Sequence, residues 1–201
     1  QIDMGQIDNF RAQVVKGDGL ARPSKFKVII RPPDWLVQYR DGIELFCSDI
    51  EMPGHDLETV AQQHSSAPTR NMVTHHDFGG SIQASFYLSA DLNEKSFFEA
   101  WQNTAVNPIT HKANYYNNYV GSLEIYQLSQ ESGTSSTSPT SNIKFRSGDL
   151  ATYGIDVSEV YPETIGAVDY SYSQGDEFAT LDIEFGYREW RNKHISGLVA
   201  V

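Results

Sequence analysis

The sequence has 201 residues and a single cysteine, Cys47. No intrachain disulfide can form from one thiol, and no thiolate zinc cluster can be built; both points fit assembly in a reducing cytoplasm. Positive charge is scarce: 15 Lys and Arg against 26 Asp and Glu leave a formal net charge of −11. Nucleic-acid binders need clustered Lys and Arg to displace counterions, so this balance argues against tight binding of DNA or RNA. Two readings of the acidity stay open: a surface that lets a polyanion pass without sticking, or charge that serves solubility alone. No apolar run approaches the ~20 residues that span a bilayer, so no membrane partner is expected. The opening "QIDMGQID" has neither the basic start nor the apolar stretch of a signal peptide.

The usual signatures of chemistry are missing as well. No serine sits in a nucleophile-elbow context, and Gly17-Asp18-Gly19 and Gly79-Gly80 lack the further glycines and lysine of a phosphate-binding loop. His75-His76-Asp77 comes nearest to a metal constellation. Neighbours on a strand point to opposite faces, however, and a third ligand from His55, His64 or His111 matches no known spacing. These histidines read as solvated loop residues, and Cys47 as a small core residue in an apolar strand. Carboxylates are plentiful, but nothing singles out a pair for glycoside hydrolysis. Trp35, Trp101 and Trp190 raise the alternative of a sugar-stacking platform on a carbohydrate-binding β-sandwich. Trp101 is better explained by a helix stripe and Trp190 by the end of a core strand, which leaves Trp35, after two prolines, as the one free to be exposed. No catalytic residue, metal or cofactor is expected.

What is present is an aromatic and β-forming load, with 11 Tyr and 10 Phe. The chain reads as one domain over 1–201, with an N-terminal arm (1–16), a Ser/Thr-rich surface loop "QESGTSSTSPTSN" (130–142) and a C-terminal tail (191–201). Phe26–Ile30 is the first strand, stopped by "RPPDW". "GIELFCSDIEMPG" (42–54) is a second, closed by Pro53-Gly54, and 55–80 is an exposed hairpin or long loop. "GSIQASFYLSA" alternates Ile82, Ala84, Phe86 and Leu88 on one face. One helix follows, with Asp91 in the cap position and Glu94 completing a capping box; Phe97, Phe98, Trp101 and Ala105 form its apolar stripe. "YVGSLEIYQLS" (119–129) is another strand. The stretch 160–190 supplies a last pair, joined by "SQGDE". Val168, Tyr170 and Tyr172 line the first, and Leu181, Ile183, Phe185 and Tyr187 the second, whose opposite face carries Thr180, Asp182 and Glu184.

Four of these segments, in this order, resemble the tail tube proteins of contractile-tailed bacteriophages. "GDGLARPSKFKVII" resembles the family's opening Gly-Asp-x-x-Ala-Arg-Pro segment and first strand, and "LFCSDIEMPG" the next strand with its Pro-Gly turn. "IQASFYLSADLNEKSFFEAWQ" resembles the strand that enters the family's single helix, and "IDVSEVYPETIGAVDYSYSQGDEFATLDIEFGYREW" its C-terminal signature. The resemblance covers residues 17 to 190; the Ser/Thr-rich segment looks like an insertion.

That resemblance implies a mainly β, sandwich- or barrel-like subunit with one flanking helix, whose hairpins join an inner β-barrel in a hexameric ring. Rings stack into a tube inside a contractile sheath. The implied partners are further copies of the chain, the tail sheath, tape measure, baseplate and tail terminator proteins, and genomic DNA in transit without specific binding. The implied location is the virion tail, assembled in the host cytoplasm. The alternative within the same class is a baseplate tube-initiator or the inner tube of an injection system. On this reading Asp169, Asp182 and Glu184 are the candidate lumen-facing acids. Arg22, Pro23, Asp56 and Glu58 mark the candidate ring-to-ring contacts.

Overall fold

A computed structural model describes residues 4–16, 20–39, 42–63, 68–128, 143–144, 150–170 and 178–193. Its helices are α1 (Met4–Lys16), α2 (Asn93–Ala105) and α3 (Tyr116–Tyr119). Its strands are β1 (Phe26–Arg31), β2 (Cys47–Ile50), β3 (Asp56–Gln62), β4 (Arg70–Asp77), β5 (Ser81–Tyr87), β6 (Gly121–Leu128), β7 (Ile143–Lys144), β8 (Leu150–Ile165), β9 (Thr180–Gly186) and β10 (Glu189–Asn192). The fold is mainly β, as the sequence implies. The chain forms two compact units, each drawn from separated segments; β8 contributes Leu150–Asp156 to the first and Val157–Ile165 to the second.

In the first unit β1, β6 and β8 pair in that order, and β7 pairs with β8 through Ile143–Ala151 and Lys144–Leu150. Val28, Leu123, Ile125, Tyr126, Ala151 and Ile155 form its core. Four successive residues of β6, Leu123 to Tyr126, are buried, so both faces of the strand are covered and a carboxylate, Glu124, is covered with them. It is matched rather than stranded. The Lys193 ammonium lies 2.7 Å from Glu124 Oε1, and the Tyr126 hydroxyl donates to Glu124 Oε2 at 2.7 Å. Lys193 Nζ also donates to the Tyr126 oxygen at 3.0 Å.

The second unit is built on the antiparallel order β8–β9–β5–β2. Alternation along β5 and β9 sends Ile82, Ala84 and Phe86, with Leu181, Ile183 and Phe185, into the core. The α2 stripe Phe97, Phe98 and Trp101 covers that layer: Phe98 stands 4.9 Å from Phe86 and 5.8 Å from Phe185, centroid to centroid. Burial of each such side chain stabilises the fold by roughly 1.5–3 kcal/mol. Trp101 Nε1–H donates to the Tyr119 carbonyl at 2.6 Å, so the largest core residue carries no orphaned donor.

Several sequence expectations need correction. One helix is expected and three are present among the described residues. Ile7, Phe10 and Val14 recur along α1, but Ile7 and Phe10 are exposed, and the apolar residues are too sparse to announce a helix. α3 is a single turn, too short for any period to register. Only Cys47–Ile50 of the 42–54 segment is strand. Gly42, at φ +86°, starts a 3₁₀ turn over Ile43–Phe46 that buries Ile43 and leaves Leu45 86% exposed. The α2 cap is Leu92, at φ 53°, not Asp91, which is an exposed turn residue. Glu94 is buried and reaches back to Ser89, accepting its backbone N–H and its hydroxyl at 2.9 Å each. The neighbour of β9 is Tyr161–Ile165 rather than a strand over 168–172; Val168–Tyr170 is irregular and Tyr172 lies outside the described residues. The Ser/Thr-rich 130–142 segment and Gly17-Asp18-Gly19 also lie outside them.

Candidate functional site

The face of β8–β9–β5–β2 opposite the core is polar and acidic. Directly paired antiparallel residues share a face, and the register sets Asp49, Ser85 and Asp182 in one row across three strands. A second row joins Gln83, Glu184 and Thr164, and Glu51 N–H donates to the Gln83 carbonyl beside it at 2.9 Å. Hydroxyls hold the carboxylates flat along the sheet: Ser85 Oγ donates to Asp182 Oδ1 and Ser81 Oγ to Glu184 Oε1, each at 2.6 Å. Two shallow hollows open here. One is lined by Gln83, Ser85, Thr164, Gly166, Asp182 and Glu184, the other by Asp49, Glu51, Gln83 and Ser85, and among the described residues no basic side chain lines either. Such a face repels polyanions over roughly the 8 Å Debye length of physiological salt and offers no cation to hold one.

Asp182 and Glu184 thus stand together, as read from the sequence. Asp169 is exposed in the irregular segment after β8 and has no place in either row. Asp49 and Glu51 join the acidic face unforeseen, because a strand assumed to run from 42 to 54 gave no register to assign them. Asp56 and Glu58 lie on β3 of the β3–β4 hairpin. Arg22 and Pro23 lie in the exposed turn before β1, where the Arg22 carbonyl accepts from Lys25 N–H at 3.0 Å and Gln127 Nε2 at 3.2 Å.

Within the 55–80 segment β3 and β4 pair antiparallel, with every residue of both strands exposed. Leu57, Val60, Met72 and Val73 are each more than half exposed, and Asp56 pairs directly with Asp77, a like-charge apposition that weakens the base of the ladder. A two-stranded ribbon without a core is marginal in water. Amide hydrogen exchange over 56–77 in dilute protein is therefore expected to be faster than over β5 and β9 by orders of magnitude; equal protection would contradict this account.

The histidines are not gathered. His75 and His76 are exposed on β4. The His76 ring lies 5.3 Å from His55, and His55 packs edge-on to Trp190 at 5.0 Å, with Phe78 beside both. Among the described residues no group of three His, Cys, Asp or Glu is arranged to hold a metal ion. Cys47 is half-buried rather than core, its thiol directed at the Asp49 carbonyl, and burial pushes its pKa up to about 12. A thiol so rarely ionised at neutral pH is a poor nucleophile. Trp101 is core, as expected. Trp190 is half-buried and donates to the Gly54 carbonyl at 3.1 Å, and Trp35 is 47% exposed.

The sequence pattern of the phage tail tube protein family matches residues 21–193. The chain belongs to that family. It is a structural, non-enzymatic tube protein. No curated protein sequence matches this tail tube protein. Solved structures share its fold at low identity. One is a chain of an extracellular contractile injection system, the PVC sheath–tube complex in its extended state, with TM-score 0.58, 8% identity, and 96% of this chain and 99% of that one covered. Another is from the anti-feeding prophage tube-terminating cap, with TM-score 0.58, 11% identity and coverage of 87% and 91%. A third, from the anti-feeding prophage baseplate, has TM-score 0.54, 11% identity and coverage of 88% and 97%. The family pattern begins after α1. Among the described residues no helix is long and apolar enough to cross a membrane.

Proposed function

We propose that the whole chain acts as one tube domain, six copies of which close into a ring, and that rings stack into the tail tube of a virion assembled in the host cytoplasm. The acidic face of β8–β9–β5–β2 lines the channel, where tape measure protein and then DNA reside in turn. Sheath, terminator and baseplate proteins contact the tube from outside and at its ends. The observation that carries this reading is the two-sided sheet: one face sealed by the α2 stripe, the other bearing Asp49, Glu51, Asp182 and Glu184 with no cation among the described residues that line its hollows. Sheet edges closed by neighbouring copies also remove a route to uncontrolled aggregation. Arg22, Pro23, Asp56 and Glu58 lie on exposed segments suited to contacts between rings. Asp169, in its irregular segment, is the weakest of the lumen assignments.

Electron microscopy of the purified protein tests assembly directly: rings or tubes with a central channel are expected, and a compact monomer at high concentration defeats the reading. The lumen assignment has its own test in Asp182→Cys, with the slow Cys47 thiol as background. In assembled tubes this cysteine is expected to react with N-ethylmaleimide but to label at least tenfold less with a 5 kDa polyethylene glycol maleimide. Full labelling by the large reagent would put Asp182 on the outer wall. A second reading, a baseplate tube-initiator or the inner tube of a contractile injection system, is favoured by the fold shared with a chain of an extracellular contractile injection system and one of the anti-feeding prophage baseplate. Copy number separates a tube subunit, which repeats in every ring, from an initiator, which occupies one.

A further inference from the structure

The second unit carries a knob after α2 and a groove along the first part of that helix. The knob is the loop after the helix. Val106 bridges to Ala113, Asn107 N–H donates to the Lys112 carbonyl at 3.0 Å, and Asn107 Oδ1 accepts from the N–H groups of Ile109 and Thr110 at 2.9 Å each. This hydrogen bonding fixes a short loop around Pro108 and holds Ile109 outward, 86% exposed. An apolar side chain on a braced loop loses little freedom when it is buried by a partner.

The groove lies at the start of α2. Its apolar walls are Trp35, Leu36, Ile43, Phe46, Phe97 and Ala100, with Ser89, Asn93, Glu94 and Ser96 completing the lining; it has a volume of about 730 Å³, and Trp35 is left half exposed. The charges around the two features are complementary. "VNPITHKAN", residues 106–114, holds His111 and Lys112 and no acid. Glu94 lines the groove itself, the exposed acids Asp34 and Asp91 lie beside lining residues in the chain, and Lys95 is paired with Glu99 at 3.5 Å, whereas Glu44 turns its carboxylate to the Ile30 N–H.

A helix of 13 residues is roughly 20 Å long. The groove is lined along the helix from Asn93 to Ala100 and the knob follows its last residue, Ala105, so the hydrogen-bonded loop would have to fold back over the helix to fill the groove of its own copy. The contact available to them is heterologous, head of one copy to tail of the next, which is the kind that propagates into closed rings or open stacks.

We infer that Pro108-Ile109 of one copy docks into the α2 groove of a second copy, with Lys112 facing the acidic rim. This deepens the self-assembling reading above and rests on it. The test uses the full chain carrying Ile109→Cys together with Ser96→Cys at the groove edge, treated under assembly conditions with a short bismaleimide. A ladder of dimers and higher oligomers is expected, absent from either single variant. Separately, Ile109→Asp, and Ser96→Trp, which fills the groove, are each expected to lower the assembled fraction at fixed concentration by at least tenfold with the circular dichroism melt unchanged. A wild-type protein that never assembles overturns both this inference and the tube reading. Wild-type assembly with no cross-linked ladder, or with both variants assembling like wild type, overturns the inference alone. A product cross-linked only within one chain overturns it too, by showing that the groove's occupant is the chain's own loop.

Discussion

Gly121→Ala is expected to destabilise the chain by about 3 kcal/mol, at the upper end of overpacking losses, a fall of roughly 6–12 °C in melting temperature for a chain of this size. Gly121 opens β6 where the strand passes between the Arg31 backbone and the Trp101 ring. A methyl group there would meet the Arg31 carbonyl oxygen closer than real Cβ contacts come, and Trp101 Cζ2 at 2.8 Å. Neither obstacle can step aside: one is backbone in the ladder, the other the largest fully buried side chain, tethered by its indole N–H to Tyr119. Gly186 makes a useful comparison, because an added methyl meets the Tyr161 ring at 2.9 Å, a side chain with some room to yield, and a smaller loss is expected. Gly80→Ala, with nothing within 4 Å, should stay within about 0.5 kcal/mol of wild type. Urea denaturation of the three variants checks the order; a Gly121→Ala protein as stable as Gly80→Ala would mean that β6 does not pass Trp101 this closely.

The second large effect belongs to Glu124. Removing one partner of a fully buried ion pair costs about 3–5 kcal/mol; Lys193 keeps a third of its side chain in solvent, so Glu124→Ala is expected to lose about 2–3 kcal/mol. Replacing the pair together, Glu124→Leu with Lys193→Met, should recover most of that loss. The same cluster sets an alkaline limit. Burial alone would pull the Lys193 pKa down, but hydrogen bonds to Glu124 and Tyr126 outweigh it and leave the value raised. Lys193 therefore holds its proton more tightly folded than unfolded. Its contribution is complete below the ordinary lysine pKa and disappears as pH climbs through the raised one. Tyr126, raised by burial, and Tyr116, pushed up to about 12 by burial and its hydrogen bond to Glu159, act in the same direction, since the unfolded chain releases those protons first. Melting temperature should hold to about pH 10 and fall between pH 10 and 12. A flat profile across that window would show that the Glu124–Lys193–Tyr126 cluster is not formed.

The core of the second unit was legible in the sequence because it rests on strict periods. Ile82, Ala84 and Phe86 alternate, Leu181, Ile183 and Phe185 alternate, and Phe97, Phe98 and Trp101 recur on one helical face; the structure packs these three sets together. What escaped lacks a period. Ile43–Phe46 reads as strand because Ile, Leu and Phe favour extended chain, and only Gly42 at positive φ turns it into a 3₁₀ segment. Glu94 three residues after Asp91 matches a capping box, yet its carboxylate prefers two donors on Ser89. On the candidate site, Asp182 and Glu184 were legible from alternation along one strand. Asp49 and Glu51 were not, because their place beside Ser85 and Gln83 is a matter of register between strands distant in sequence. Glu124 carries no sequence signal at all: a lone acid in an apolar strand looks like a solvent-facing residue until Lys193 is seen to cover it.

The β3–β4 ribbon has a kinetic consequence. Its order rests on backbone hydrogen bonds and cross-strand pairs worth about 0.2–1 kcal/mol each, with Asp56 set against Asp77 and no buried side chain to add to them. In a polymerising system, such a ribbon must be fixed at the moment a neighbour arrives, and the first contact bears that ordering entropy with little return. Each later addition would meet a template whose ribbons are already set. Growth of this kind shows a lag that shortens steeply with concentration and vanishes when preformed ends are added. A weakly held ribbon would thus keep free subunits from polymerising away from the place where a tube is meant to start.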